Sequence, residues 1–184
     1  MRRSGQPVRY VWLRFPQLIS LPVLALSRLL GVTRYGVVGG RRVGRWEFDR
    51  ARWLANILLW TQAIDAAILR RLRIDRPARA GMMVVIDRFS IDVVVDIAAA
   101  ADDPGLLDSR AARLLCRLAR PGRVALLDAD PAILRGRRDD LAADPLLARR
   151  ADLYRELARR HGISVIEAGR SPDEVHADLA ELSA

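Results

Sequence analysis

Three short runs in the sequence bring carboxylates and guanidiniums together at spacings suited to phosphate chemistry. Val85-Ile86-Asp87-Arg88-Phe89 ends an apolar run in an acid next to an arginine. Such a strand end can present a Mg²⁺-binding carboxylate beside a phosphate-binding fork. Leu127-Asp128-Ala129-Asp130-Pro131 ends a second apolar run in two acids, and Arg135-Gly136-Arg137-Arg138 follows close behind. Several guanidiniums within one helical turn suit a lid that neutralises the equatorial oxygens of a transferring phosphoryl group. Arg14 lies at the end of a β-branched and aromatic run that begins at Val8. Each group has a structural alternative. For Asp87-Arg88 it is a salt-bridged strand end, and for the arginine cluster a solvated helix face balanced by Asp139 and Asp140.

Composition narrows the anion chemistry. The chain has 184 residues, enough for one domain with a full core, and a formal net charge of +9. All 31 basic residues are arginine, so any phosphate must be held by guanidinium forks or backbone N–H groups rather than by an ammonium. The arginines are spread along the chain, which favours small phosphates over a nucleic-acid duplex. The single cysteine, Cys116, excludes an internal disulfide framework and reads as a buried thiol in a cytoplasmic protein. Neither residues 18–32 nor 54–69 read as membrane-spanning, because the first is short and broken by Pro22 and Arg28 and the second carries Gln62 and Asp65. The basic residues Arg41, Arg42 and Arg45, beside the apolar 18–30 segment, are a weak membrane-surface signal, and membrane contact is not expected.

The elements that must position these groups alternate between strand and helix. Residues 8–15 read as a strand ended by Pro16, 18–30 as a short helix, and 31–44 as a glycine-rich loop or hairpin. Helical periodicity spans 46–72, where Trp46, Trp53, Ile57, Trp60, Ile64, Ala67 and Ile68 form a stripe expected to face the core. Residues 82–86 are apolar on both faces, as in a central parallel strand covered by helices on each side. Helices follow over 90–101 and 107–119, and a second buried strand over 123–127. Asp130-Pro131 and Asp144-Pro145 pair an N-cap acid with a proline at the first helical position. Residues 163–167 read as a short strand, and Ser171 with Glu174 forms a capping box before the last helix. His161, at a helix end before Gly162, suits a capping role, and His176 a surface position. The class is α/β with a mainly parallel sheet, in a single domain over 1–184.

In this order the motifs resemble the thymidylate kinase family of P-loop nucleoside monophosphate kinases from about Pro7 to the C-terminus. Val85-Ile86-Asp87-Arg88-Phe89 is similar to that family's Asp-Arg-aromatic motif, and Leu127-Asp128-Ala129-Asp130-Pro131 to the strand and cap before its arginine-bearing lid. Leu153-Tyr154-Arg155-Glu156-Leu157-Ala158 and Ser171-Pro172-Asp173-Glu174-Val175-His176 resemble its C-terminal helices, and Arg14-Phe15-Pro16 stands where the family often has Arg-Glu-Pro. The resemblance implies a P-loop kinase-like parallel sheet flanked by helices. It also implies that Arg88 holds an acceptor monophosphate, Asp87 positions metal or acceptor, and Arg135, Arg137 and Arg138 serve the lid. Arg14, Gln62 and Asp65 would be further substrate contacts. Mg²⁺, ATP, a nucleotide monophosphate and a homodimeric partner are implied in the same way. No Gly-x-x-x-x-Gly-Lys-Ser/Thr loop occurs in the chain. The expectation is therefore a sheet lacking the family's first strand, P-loop and first helix, with roughly 20–30 residues upstream to supply them, and no kinase activity from these residues alone. The alternatives are a non-catalytic remnant or regulatory partner that keeps the acceptor side, and a membrane-surface or assembly protein using residues 18–45.

Overall fold

The computed structural model describes residues 7–38, 41–119, 122–137, 141 and 144–183. In chain order the elements are β1 (Val8–Trp12), α1 (Leu21–Leu29), β2 (Thr33–Val38), β3 (Arg41–Trp46), α2 (Arg52–Arg70), α3 (Arg76–Arg79), β4 (Met83–Asp87) and α4 (Ser90–Ala100). They continue with α5 (Arg110–Ala119), β5 (Ala125–Asp128), α6 (Pro131–Arg137), α7 (Leu147–His161), β6 (Ser164–Glu167) and α8 (Pro172–Ser183). The α/β class holds, and the parallel pairing with it. β1 runs parallel to β4, with Val8 opposite Met83 and Trp12 opposite Asp87. β5 runs parallel to β6, with Ala125 opposite Ser164. The glycine-rich segment forms the antiparallel β2–β3 hairpin.

Helix α4 is the centre of the packing. Residues 93–101 are all buried, as expected of a stretch that is apolar all round apart from Asp96. α2, α5 and α7 pack around it. Helix ends follow the local signals. Asp130 Oδ1 accepts from Ala132 N–H at 2.6 Å. Ser171 N–H donates to Glu174 at 3.0 Å, and Glu174 N–H to the Ser171 hydroxyl at 3.4 Å. Gly162 ends α7 at φ 61°, a left-handed position that glycine occupies without a Cβ penalty. Asp144 accepts from Leu146 N–H at 3.0 Å, but the regular helix begins only at Leu147. Pro145 sits in the preceding turn rather than at the first helical position. Cys116 is buried.

Two expectations fail in instructive ways. Trp46 belongs to β3, not to the long helix, and the stripe of Trp53, Ile57, Trp60, Ile64 and Ile68 faces outward at 38–54% exposure. The core face of α2 is instead Leu54, Ala55, Leu58, Leu59, Ala63 and Ala66. The helix carries two apolar faces, and periodicity cannot say which one is covered. The second failure concerns β4, expected to be covered on both sides. Among the described residues it pairs with β1 alone, and β5 with β6 alone. Val85 and Ile86 of β4, Leu127 of β5 and Val165 of β6 are all exposed. Strands with the composition of a sheet centre lie at sheet edges.

Candidate functional site

The parallel strands β1 and β4 end together, and the charged groups gather at their carboxyl ends, where ligands bind in open α/β sheets. Asp87, the last residue of β4, accepts a hydrogen bond from the Tyr10 hydroxyl of β1 at 2.6 Å. That bond holds the Tyr10 hydroxyl above its ordinary pKa. Arg88 follows with φ 59°. A left-handed backbone at a non-glycine residue costs about 1–2 kcal/mol. It turns the chain sharply from β4 into α4. The Arg88 carbonyl still accepts from Leu13 N–H at 3.2 Å, so the two strand ends remain tied. The Arg88 side chain is exposed and has no hydrogen-bond or ion-pair partner among the described residues.

Below it lies a polar clasp inside the core. Asp96 of α4 is only 4% exposed. Its Oδ2 accepts from Arg14 Nε at 3.0 Å and Nη2 at 2.9 Å, and Arg150 Nε of α7 stands 2.9 Å from Oδ1. The Arg150 approach lies off hydrogen-bond geometry, since neither of those two atoms has a hydrogen-bond partner among the described residues. Its attraction is Coulombic. Arg150 also pairs with Asp144. One turn earlier on α4, Asp92 accepts from Phe89 N–H at 2.9 Å and from the Tyr154 hydroxyl at 2.7 Å. Asp92 and Asp96, and Arg150 and Tyr154, are spaced by four residues on facing helices, so both pairs meet at once.

These contacts set the charge states. Burial, followed by the negative charges of Asp92 and Asp96, pushes Tyr154 well above the ordinary phenol pKa, with Arg88 opposing. Tyr154 is therefore a neutral donor. Burial opposes the charge on Arg14, but Asp96 outweighs it and leaves the guanidinium firmly protonated. The Ser90 hydroxyl, in the first turn of α4 and 1% exposed, has no partner among the described residues. The strand ends thus carry, among the described residues, one unpaired guanidinium and an unused buried hydroxyl at a helix N-terminus, above an Asp96 carboxylate balanced by Arg14 and Arg150.

The other expected residues lie elsewhere. Arg137 of α6 donates to the carbonyls of Ala168, Gly169 and Arg170 at 2.8, 3.1 and 3.4 Å, which fastens α6 to the loop before α8. Arg135 is exposed, and Arg138 lies outside the described residues. Gln62 and Asp65 are fully buried. Asp65 accepts from the N–H groups of Leu18, Ile19 and Ser20 at 3.0, 2.7 and 3.1 Å and from the Ser20 hydroxyl at 2.7 Å. Gln62 donates to Pro16 O and Ser20 Oγ, both at 2.8 Å. The two residues latch the segment entering α1, and their bonded atoms face that segment rather than a ligand. Among the described residues no group of three or more His, Cys, Asp or Glu is arranged to hold a metal. Asp87 supplies one carboxylate, and the chain has neither lysine nor phosphate-cradling loop. The described residues do not by themselves build a Mg²⁺·ATP site. Ser90, Asp92, Asp96 and Arg150 were not among the expected site residues. The available signal was Asp96, a lone acid inside Val93-Val94-Val95-Asp96-Ile97-Ala98.

No family model matches the chain, and a search of curated proteins finds no match. Among the described residues no helix is long and apolar enough to cross a membrane.

Proposed function

We propose that this chain is the acceptor half of a nucleoside-monophosphate-kinase-like fold, a binding unit for a nucleoside monophosphate that does not transfer phosphate by itself. The observation that carries the reading is Arg88. Its guanidinium is unpaired among the described residues and belongs to a strained turn at the carboxyl end of β4, next to the first turn of α4. A phosphate there would meet a guanidinium fork and the N–H groups of the first turn of α4, donor types that bind phosphates well. Arg14 and Arg150 balance the charge of Asp96 beneath the site.

The thymidylate kinase-like fold proper is part of the same proposal. The edges of β4 and β5 that face away from their partners suit one further parallel strand, which would join β1–β4 and β5–β6 into one sheet. α7 already spans both halves, since Tyr154 reaches Asp92 after β4 and Arg155 pairs with Asp128 of β5 at 2.8 Å. In such a fold Arg135 and Arg137 would lie on the donor side, and the donor-phosphate loop would come from a strand-loop-helix unit outside these 184 residues. Residence in the cytoplasm belongs to this proposal too.

The test is calorimetric titration of nucleoside monophosphates into the full chain and into Arg88→Ala. Charge-assisted hydrogen bonds contribute about 1.5–3 kcal/mol, so the variant should bind roughly 10- to 100-fold more weakly. Equal affinity in the two proteins contradicts the site. Robust turnover of ATP and a monophosphate by the purified chain contradicts the claim that it does not act alone.

A further inference from the structure

The arginines of this chain fall into two populations. Those of α7 are matched: Arg149, Arg150, Arg155, Arg159 and Arg160 each pair with a carboxylate. Those past the end of α2 and along α5 are not. Arg71, Arg73, Arg76, Arg79, Arg110 and Arg117 are exposed, and none has a carboxylate partner among the described residues. Between positions 66 and 86 the sole acid is Asp75, which Arg70 already holds at 3.2 Å. Between 109 and 127 there is none. Fold stability does not call for this placement. Arg110 opens α5, where the helix dipole disfavours a cation, and no acid stands in that first turn. Apolar residues border the charge. Trp60, Ile64, Ile68 and Leu72 follow one another at steps of four, which keeps them along one side of the helix. All four are exposed, at 38–50%. Arg71 stands three positions after Ile68 and so beside that line, and Arg73 and Arg76 follow as the helix runs on through one π turn, Arg71–Asp75, into α3. The Arg70 guanidinium donates to the Leu118 carbonyl at 2.9 Å, which brings the end of α5, with Arg117, to the same corner.

We propose that this corner rests on an anionic lipid bilayer, with the line from Trp60 to Leu72 set into the headgroup–acyl boundary and the unmatched guanidiniums on lipid phosphates. An apolar helix line edged by arginines lies in such an interface, and tryptophan favours that depth. Unmatched cations supply the attraction, because guanidiniums already paired with carboxylates have little left to offer a second anion. The apolar line sets the bilayer apart from a nucleic-acid duplex, whose charged backbone gives exposed isoleucine and leucine nothing to bury against. The contact is with the membrane surface and not a span, and it uses none of residues 18–45. The inference does not rest on the monophosphate site.

The test is co-sedimentation of the full chain with phosphatidylcholine vesicles and with vesicles that also carry phosphatidylserine, at low and high salt. The chain should bind the anionic vesicles, and salt should release it. The double variant Arg73→Gln/Arg76→Gln should bind about 25-fold more weakly, about fivefold for each charge removed. Ile68→Ser, at an exposed position, should also weaken binding while circular dichroism stays unchanged, because part of the attraction is apolar burial. Arg159→Gln/Arg160→Gln removes two matched arginines and should have a much smaller effect. Failure to bind anionic vesicles overturns the proposal. So does an equal loss in the two double variants, which would make the attraction one of net charge alone, or binding that Ile68→Ser leaves unchanged. A preference for duplex DNA over the anionic vesicles overturns it in favour of a nucleic acid. Self-association that Ile68→Ser abolishes, without vesicle binding, overturns it in favour of a second copy.

Discussion

Asp65 and Asp96 are both carboxylates inside helices, 0% and 4% exposed, yet their partners differ in kind. Asp65 is met by three backbone N–H groups and a hydroxyl. These neutral donors belong to the segment entering α1, and neither oxygen of Asp65 is left without a partner. Asp96 is met by two guanidiniums from different elements, Arg14 after β1 and Arg150 on α7, one of them off hydrogen-bond geometry. Burial alone therefore does not mark a functional acid. The partners differ: Asp65 is closed by backbone and acts as a latch, while Asp96 is balanced by side-chain cations near the strand ends, beneath the proposed site.

Substitutions at the two positions should separate these roles. Asp65→Ala carries the largest expected loss of stability, about 3–5 kcal/mol, because it strands several donors at once. Urea unfolding would register it, and monophosphate affinity of the folded fraction should not change. Asp96→Asn should cost less, about 2–3 kcal/mol, since Arg14 and Arg150 are part-exposed and rehydrate. Its affinity for a monophosphate should rise as Arg14 is released toward the ligand. Unchanged affinity in this variant, or altered affinity in Asp65→Ala, would break the contrast.

Tyr154→Phe should cost about 1 kcal/mol, the net value of one buried hydrogen bond. It also has a pH signature. The folded-state pKa of Tyr154 is raised above its ordinary value of 10.0, so its stabilisation is complete below that ordinary value and falls away as pH rises through the folded-state value. In Tyr154→Phe that alkaline slope in unfolding free energy should shrink. The smallest effect has the opposite sign. Arg88→Gly should raise stability by up to about 1 kcal/mol by relieving the left-handed turn, while lowering monophosphate affinity as Arg88→Ala does. A stabilised variant that still binds normally would remove Arg88 from the site.

How much of this was legible in the sequence follows from how local each signal is. The Asp130 cap and the Ser171–Glu174 box depend on residues within one turn, and both form where the sequence puts them. The β1 and β4 strands and the position of Asp87-Arg88 at a strand end were equally readable. The polar clasp was not, because Asp92 meets Tyr154 across 62 positions of sequence and Asp96 meets Arg14 across 82. Gln62 and Asp65 sat on the expected helix but turn to its packed side, which depends on how α1 enters. The tryptophan stripe misled for a related reason. Both faces of α2 repeat at helical spacing, and only tertiary contacts decide which is inside. The exposed edges of β4 and β5 raise the same issue at the level of the sheet, since their composition anticipates a neighbour that the described residues do not supply. Such edges invite strand addition and aggregation.

The central claim is that the ligand site lies at the carboxyl ends of β1 and β4, centred on Arg88. A nuclear magnetic resonance titration of the isotopically labelled chain with a nucleoside monophosphate tests it most directly, following backbone amides and arginine Nε–H groups. The account predicts shifts concentrated at Arg88, Phe89, Ser90 and the Arg14 side chain, with Arg135, Arg137 and the Asp65 latch unmoved. Shifts centred on α6, or none near Arg88 at saturating ligand, would contradict it.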